Sequence, residues 1–282
     1  PPAKEDPPKP PATAPEALAL ILEAAGRQGT GKFTGEKAVT RFFAVFDPVV
    51  LHSPKGDRVQ SRSTEAFSLP PAGGTLPLIQ SRWIQDGKEI LLGRDSRSGW
   101  IRAGTEPARR FLDPEGRDRQ EVADLEDRTR MLRMALRVFF LGNLGGGPVV
   151  TLREPEAMSL PVGLGGEPRK VRCRVLDREA DPGAGEPAMR IYLAEDALLP
   201  VAAVLYSGDR GASSFLLTFD YDAEETRKPE DLPQGVKVPN WCELFELPAK
   251  PGEKPALRIQ AGVQRLEIHP LKVPDSLFAF PR

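Results

Sequence analysis

Two cysteines and two histidines are all that this chain of 282 residues offers for thiol chemistry or soft metal ligation. They are Cys173, Cys242, His52 and His269, and no C-x-x-C or H-x-x-x-H spacing joins them. Zinc sites draw their ligands from such close-spaced pairs. A centre of that kind is therefore excluded, and no cofactor or metal is expected. The cysteines read either as small apolar core residues or as one disulfide, which would need an oxidising compartment.

Charge of one sign is also lacking. Lys and Arg number 39 against 40 Asp and Glu, a net charge of −1. Nucleic-acid binders concentrate basic residues on one face, whereas here the arginines are scattered, so no nucleic-acid partner is expected. A run of about 18 apolar residues, enough to span a bilayer, does not occur. No G-x-S-x-G nucleophile turn is present. The acidic pairs Glu195-Asp196 and Glu224-Glu225 fall in predicted turns, where carboxylates stay solvated and keep ordinary proton affinities. No catalytic residue is assigned, and the chain reads as a non-enzyme.

Two glycine-rich stretches imitate nucleotide motifs. Gly26 to Phe33 fits G-x-x-x-x-G-K, but Phe33 stands where magnesium binding needs Ser or Thr. A predicted helix precedes it and a strand follows, the reverse of the P-loop order. Gly142 to Gly147 follows a helix too. Both read as loops that stop helices.

What is present is patterned. Residues 1–15, PPAKEDPPKPPATAP, hold seven prolines and no large apolar side chain, so they read as an extended linker or tether. The chain starts at Pro1, so a trimmed product is expected, its targeting segment removed and a lipidated Cys just upstream. Thr13 and Glu16 form a capping box for a first helix, with Leu18, Ile21, Leu22 and Ala25 as its apolar stripe. Gly26 and Gly29 end it. Strands are predicted at 39–46, 58–69, 79–84 and 89–92, the last two joined through Asp86-Gly87, a hairpin signal.

A long helix is predicted over 118–141, with Leu125, Leu132, Leu136 and Phe139 on one face. Met131, Ala135, Val138 and Phe140 widen that face, and Asp124, Glu126, Asp127 and Arg128 cover the other. Strands follow at 149–153, 170–177, 188–194, 200–207, 214–221, 236–247, 255–266 and 267–271. Val171, Cys173 and Val175 alternate with Arg172 and Arg174, and Met189, Ile191 and Leu193 with Arg190 and Tyr192. One apolar and one wet face mark an antiparallel sheet. Strands, a long helix and more strands give an α+β fold with one large antiparallel sheet. Residues 16–282 read as a single domain.

The hairpin at 189–208 has apolar residues on both faces: Val201, Ala203 and Leu205 on one, Ala202, Val204 and Tyr206 on the other. Aromatic residues are spread over most of the predicted elements. Either they fill a core or some line a concave apolar cavity for a hydrophobic ligand. The candidate lining residues are Phe42, Phe46, Trp83, Leu132, Leu136, Phe139, Phe140, Ala203, Phe219 and Trp241. The other reading is a structural or interaction module whose interior is filled.

The order of these features resembles the LolA/LolB-like carriers of outer-membrane lipoproteins. The resemblance rests on the amphipathic helix from Glu16 to Ala25 and the aromatic strand from Val39 to Phe46. It extends to SRWIQDGKEILL at 81–92, the helix at 118–141, IYLAEDALLPVAAVLYSG at 191–208 and the closing LFAFP at 277–281. It implies an incomplete, strongly curved antiparallel β-barrel with helices covering its open side. The implied cavity takes a lipid or lipoprotein acyl chain. The implied setting is the periplasm or the outer membrane, peripherally held or lipid-anchored, with an envelope protein as partner. The family's release-controlling Arg has no clear counterpart; Arg62 and Arg82 lie in the corresponding region.

Overall fold

The computed structural model describes residues 15–53, 56–69, 77–85, 87–95, 97–112, 115–145, 149–161, 167–181, 187–206, 214–223, 229–230, 232–248, 253–268 and 278–281. The linker through Ala14 with its Thr13 cap, Asp86, Glu224, Glu225 and His269 lie outside these residues.

Pro15 is the first residue of helix α1 (Pro15–Gln28). Proline suits that position, since its missing N–H would have had no partner there. The chain then enters a meander of β1 (Arg41–His52), β2 (Arg58–Ser68), β3 (Leu78–Gln85), β4 (Lys88–Arg94), β5 (Gly99–Ala103) and β6 (Arg109–Arg110). Helix α2 (Arg119–Phe139) follows, ending in a 3-10 turn, Leu141–Gly145. The second meander comprises β7 (Val150–Leu160), β8 (Arg169–Arg178), β9 (Met189–Ala194), β10 (Pro200–Tyr206), β11 (Ser214–Asp220), β12 (Trp241–Glu246) and β13 (Ala256–Ile268).

All 13 strands form one antiparallel sheet in the order β6-β5-β4-β3-β2-β1-β13-β12-β11-β10-β9-β8-β7. The chain thus starts in the middle of the sheet and works outward to β6. It then passes through α2 to the other edge at β7 and works back until β13 pairs with β1. The edge strands β6 and β7 do not pair with each other, so this curved sheet stays open. The α+β architecture with one large antiparallel sheet is as the strand rhythm predicts, and its open form is as the resemblance implies. Several elements differ in extent, and the strand predicted over 236–247 is confined to Trp241–Glu246. β1 and β7 run further than their apolar stretches, because hydrogen-bonded pairing continues across register shifts. The two predicted strands after 255 are one strand to Ile268.

Helix α1 corrects its predicted stripe. Its buried residues are Ala17, Leu20, Ile21, Ala24, Ala25 and Gln28, whereas Leu18 and Leu22 are exposed. Small alanines let the helix approach the 3-10 turn and β7 closely. Gln28 is the hub of this junction. Its Nε2 donates to the Val138 carbonyl (3.2 Å), and its Oε1 accepts from Leu141 N–H (3.0 Å) and the Thr30 hydroxyl (2.8 Å). The glycine-rich 26–33 stretch is a helix stop, with the N–H groups of Thr30 and Gly31 both donating to the Ala25 carbonyl. Gly142 is required there: a Cβ would sit 2.8 Å from the Phe33 carbonyl oxygen and 2.9 Å from that of Thr30.

The main core lies between α1, α2 and one face of the sheet. A second apolar cluster, with Cys173, Val175, Tyr192, Ala202, Val204 and Phe245, lies on the opposite face. This corrects the expectation of one wet face along β8 and β9. Tyr192 is buried, and Arg190 is half-buried because Asp177 accepts from its Nε (2.7 Å) and Nη2 (3.1 Å). A neutralised arginine can occupy a covered face that a free one could not.

The hairpin at 189–208 is therefore buried on both sides. Ala203 and Leu205 join the main core, and Ala202 and Val204 join the second cluster. Val201 sits with the second group, against the simple alternation, because the register shifts between Pro200 and Ala202. Cys173 and Cys242 are both free thiols, Cys173 in the second cluster and Cys242 packed against the main one. They lie on opposite faces and four strands apart, roughly 19 Å along the sheet, beyond disulfide reach.

The closing segment covers part of that opposite face near β2 to β5. Phe278 packs with Ala66, Phe43 and Leu78, and the Phe280 ring meets Trp100 edge-on at 6.4 Å.

Candidate functional site: a cavity between helix α2 and the sheet

Antiparallel pleating brings Phe46, Ser63, Glu65 and Trp83 of β1 to β3 to one face of the sheet. It brings Ala203, Leu217, Phe219, Cys242 and Leu244 of β10 to β12 to the same face. A register shift between Phe46 and Val49 lets Val49 and Leu51 continue that face beyond the shift. Helix α2 crosses it. Its side chains at Asp124, Asp127, Arg128, Met131, Ala135, Val138 and Phe139 recur at three- and four-residue spacing and form one stripe. Between stripe and sheet lies a cavity of about 420 Å³.

Six of the candidate lining residues come together here: Phe46, Trp83, Leu132, Phe139, Ala203 and Phe219. Phe139 and Phe219 close one end as an edge-to-face pair with ring centroids 6.0 Å apart. The other four lie elsewhere. Phe42 stacks on Phe67 with centroids 5.6 Å apart, within the packed core. Leu136 is buried in the main core and does not line the cavity. Phe140, just past the helix, meets Phe33 edge-on at 6.4 Å. Trp241 is one residue from cavity-lining Cys242, so the pleat turns it to the other face, where its Nε1 donates to Glu243 (3.3 Å).

The stripe also corrects which side of α2 is wet. Asp124, Asp127 and Arg128 belong to the cavity side and form its polar rim. Sequence reasoning missed their counterpart on β2. Ser61, Ser63 and Glu65 alternate ahead of Phe67 on one face, a period-2 polar run leading into an apolar residue. That run was legible as a strand face, but its pairing with a helix 63 residues away was not.

Glu65 is buried and saturated with donors. The hydroxyls of Ser63 and Ser81 donate to its two oxygens, and Arg128 donates through Nη1 at 3.0 Å. Burial pushes its carboxyl above the ordinary range, and Arg128 and the two serines pull back only part of that. The Arg128 guanidinium also lies over Trp83, 3.9 Å from the ring centroid. Burial, and then neighbouring Glu243, raises the Cys242 thiol well above its ordinary value, so it stays protonated. Among the described residues, no cluster of three or more His, Cys, Asp or Glu could hold a metal ion. No helix among them is long and apolar enough to cross a membrane.

The arrangement can bury an apolar chain against aromatic and aliphatic walls while presenting one guanidinium and three carboxylates at one side. No family model and no curated protein matches the chain. Similar solved structures include a DUF1329 family protein from Desulfovibrio piger, at 14% identity and TM-score 0.46, covering 93% of this chain and 97% of that one. Another is a domain from Vibrio parahaemolyticus named for outer membrane lipoprotein sorting, at 12% identity and TM-score 0.47, covering 93% of this chain and 96% of that one.

Proposed function

We propose that the protein is a non-enzymatic carrier that holds a lipid or lipoprotein acyl chain in the cavity between α2 and the sheet. Phe46, Trp83, Leu132, Phe139, Ala203 and Phe219 contact the chain. The cell envelope is the setting that the family resemblance implies. The observation that carries this reading is the open volume itself, about 420 Å³ walled largely by apolar side chains from both the helix and the sheet. Ligand pockets of this chemistry span roughly 300–1,000 Å³. Each methylene moved from water into such walls contributes about 0.8 kcal/mol, so one chain binds with few polar contacts. The volume supports this reading over an interaction module with a filled interior.

The test is native mass spectrometry after gentle purification, together with titration of the uncharged fluorescent probe N-phenyl-1-naphthylamine. The expected result is a lipid-sized adduct and saturable probe fluorescence. A protein that stays ligand-free and gives no saturable probe signal would overturn the reading.

A further inference from the structure

Most polar groups of the cavity are gathered on one side. Ser61, Ser63 and Glu65 come from β2, and Asp124, Asp127 and Arg128 from the first half of α2. The wall facing them, from β1 and β10 to β13, is apolar at Val49, Ala203, Leu217, Phe219, Leu244 and Ile259, and carries one carboxylate, Glu243, which accepts from Trp241 and Gln260. An amphiphile lying between these walls puts its chain on the second and its polar end on the first.

Two features define the chemistry of that polar end. The first is the spare donor capacity of Arg128. A guanidinium carries five N–H donors in one plane. Arg128 uses Nη1 on Glu65 and lays its face on Trp83, while its Nε and Nη2 meet no protein acceptor among the described residues. The second is the charge around it. Glu65 is buried and already saturated, and Asp124 and Asp127 stand exposed on the same helix face. Asp124 accepts from Gln120 (2.8 Å), and Asp127 lies 3.5 Å from Arg130, which is outside the cavity. A carboxylate or phosphate reaching Arg128 meets three carboxylates. An ammonium also meets the guanidinium, but Asp124 and Asp127 attract it, so these charges disfavour only the anionic head.

Resting on the carrier reading above, we propose that the cavity prefers amphiphiles whose polar end accepts hydrogen bonds without carrying a negative charge, as an ester or amide carbonyl does. Arg128 holds that carbonyl, and Asp124 and Asp127 discriminate against chains with anionic heads.

The test displaces N-phenyl-1-naphthylamine at neutral pH with a monoacylglycerol and a fatty acid of one chain length, each below its aggregation concentration. The monoacylglycerol is expected to bind about tenfold more tightly than the fatty acid, the scale of one unfavourable charge contact in a partly wet site. Asp124→Asn with Asp127→Asn, two exposed and near-isosteric changes, is expected to bring the fatty acid to within about threefold of the monoacylglycerol. A fatty acid that binds as tightly as the monoacylglycerol would overturn the selectivity, as would a gap that the double variant leaves unchanged. Probe binding with no selectivity overturns only this inference, whereas absence of any probe or chain binding overturns the carrier reading with it.

Discussion

The guanidinium of Arg128 lies flat over Trp83, 3.9 Å from its ring centroid, while its Nη1 stands 3.0 Å from buried Glu65. This contact ties the first half of α2 to β2 and β3 beside the cavity. Arg128→Ala leaves Glu65 buried without a counter-charge and is expected to cost about 2–4 kcal/mol in denaturant unfolding at neutral pH. Burial raises the Glu65 carboxyl above the ordinary carboxylate range, so folding favours its neutral form more than the unfolded chain does. The loss from Arg128→Ala should therefore shrink at acid pH, where Glu65 is protonated, and grow as pH rises through its folded value. Glu65→Gln combined with Arg128→Gln, which leaves no buried charge, should cost less than the single variant.

Ala203 and Phe42 separate cavity from core. Ala203 lines the cavity, so Ala203→Leu fills open space; probe affinity should fall about tenfold or more while stability changes by roughly 1 kcal/mol or less. Phe42 is packed on Phe67, so Phe42→Ala should cost about 3–5 kcal/mol and leave the cavity walls in place. Paired probe titrations and unfolding curves check both.

Asp95 carries an acid-side stability term. Burial opposes its charge, but Arg110 and the N–H groups of Arg97 and Ser98 hold its carboxyl down at about 2, against an ordinary 3.8. The contribution is therefore complete above pH 3.8 and is lost as pH falls through about 2. Asp95→Asn should be less stable than the parent by about 1–2 kcal/mol at pH 6, with the two curves converging near pH 2.

Asn143 joins two segments 104 residues apart: its Oδ1 accepts from Val39 N–H (3.1 Å), and its Nδ2 donates to the Val39 carbonyl (3.0 Å). Asn143→Ala strands both backbone groups in a buried site and should cost about 2–3 kcal/mol. A thermal unfolding comparison reads the loss directly.

Gly93 marks where Trp100 crosses the sheet. A Cβ there would lie 2.3 Å from the indole Cζ2 and 2.9 Å from the Ile79 carbonyl oxygen. Gly93→Ala should therefore displace buried Trp100 and cost about 1–3 kcal/mol, with a shift in tryptophan emission as its signature.

Much of this was legible along the chain. Strand alternation places Val171, Cys173 and Val175 on one face, and the structure gathers them around the second cluster. The long helix was visible from its stripe and the glycines after it, and one large antiparallel sheet in an α+β fold followed from strand order. The candidate site was legible only in part. Helical spacing cannot choose between two faces when both carry apolar residues. Leu136 and Phe139 thus read alike, although one packs in the core and the other borders the cavity.

What the sequence by itself determined was the local grammar: which residues alternate, where glycine and proline end elements, and that metal-ligand spacing is absent. Those properties depend on neighbours a few positions apart. Tertiary structure decided which face each alternation presents. Register shifts at Phe46/Val49 and Pro200/Ala202 invert the parity that a simple pleat would keep. It also decided that Glu65 meets Arg128 across 63 residues, and that the interior beside Ala203 stays open. These depend on how far α2 stands from the sheet, a distance set by packing many side chains at once and recorded in no single segment.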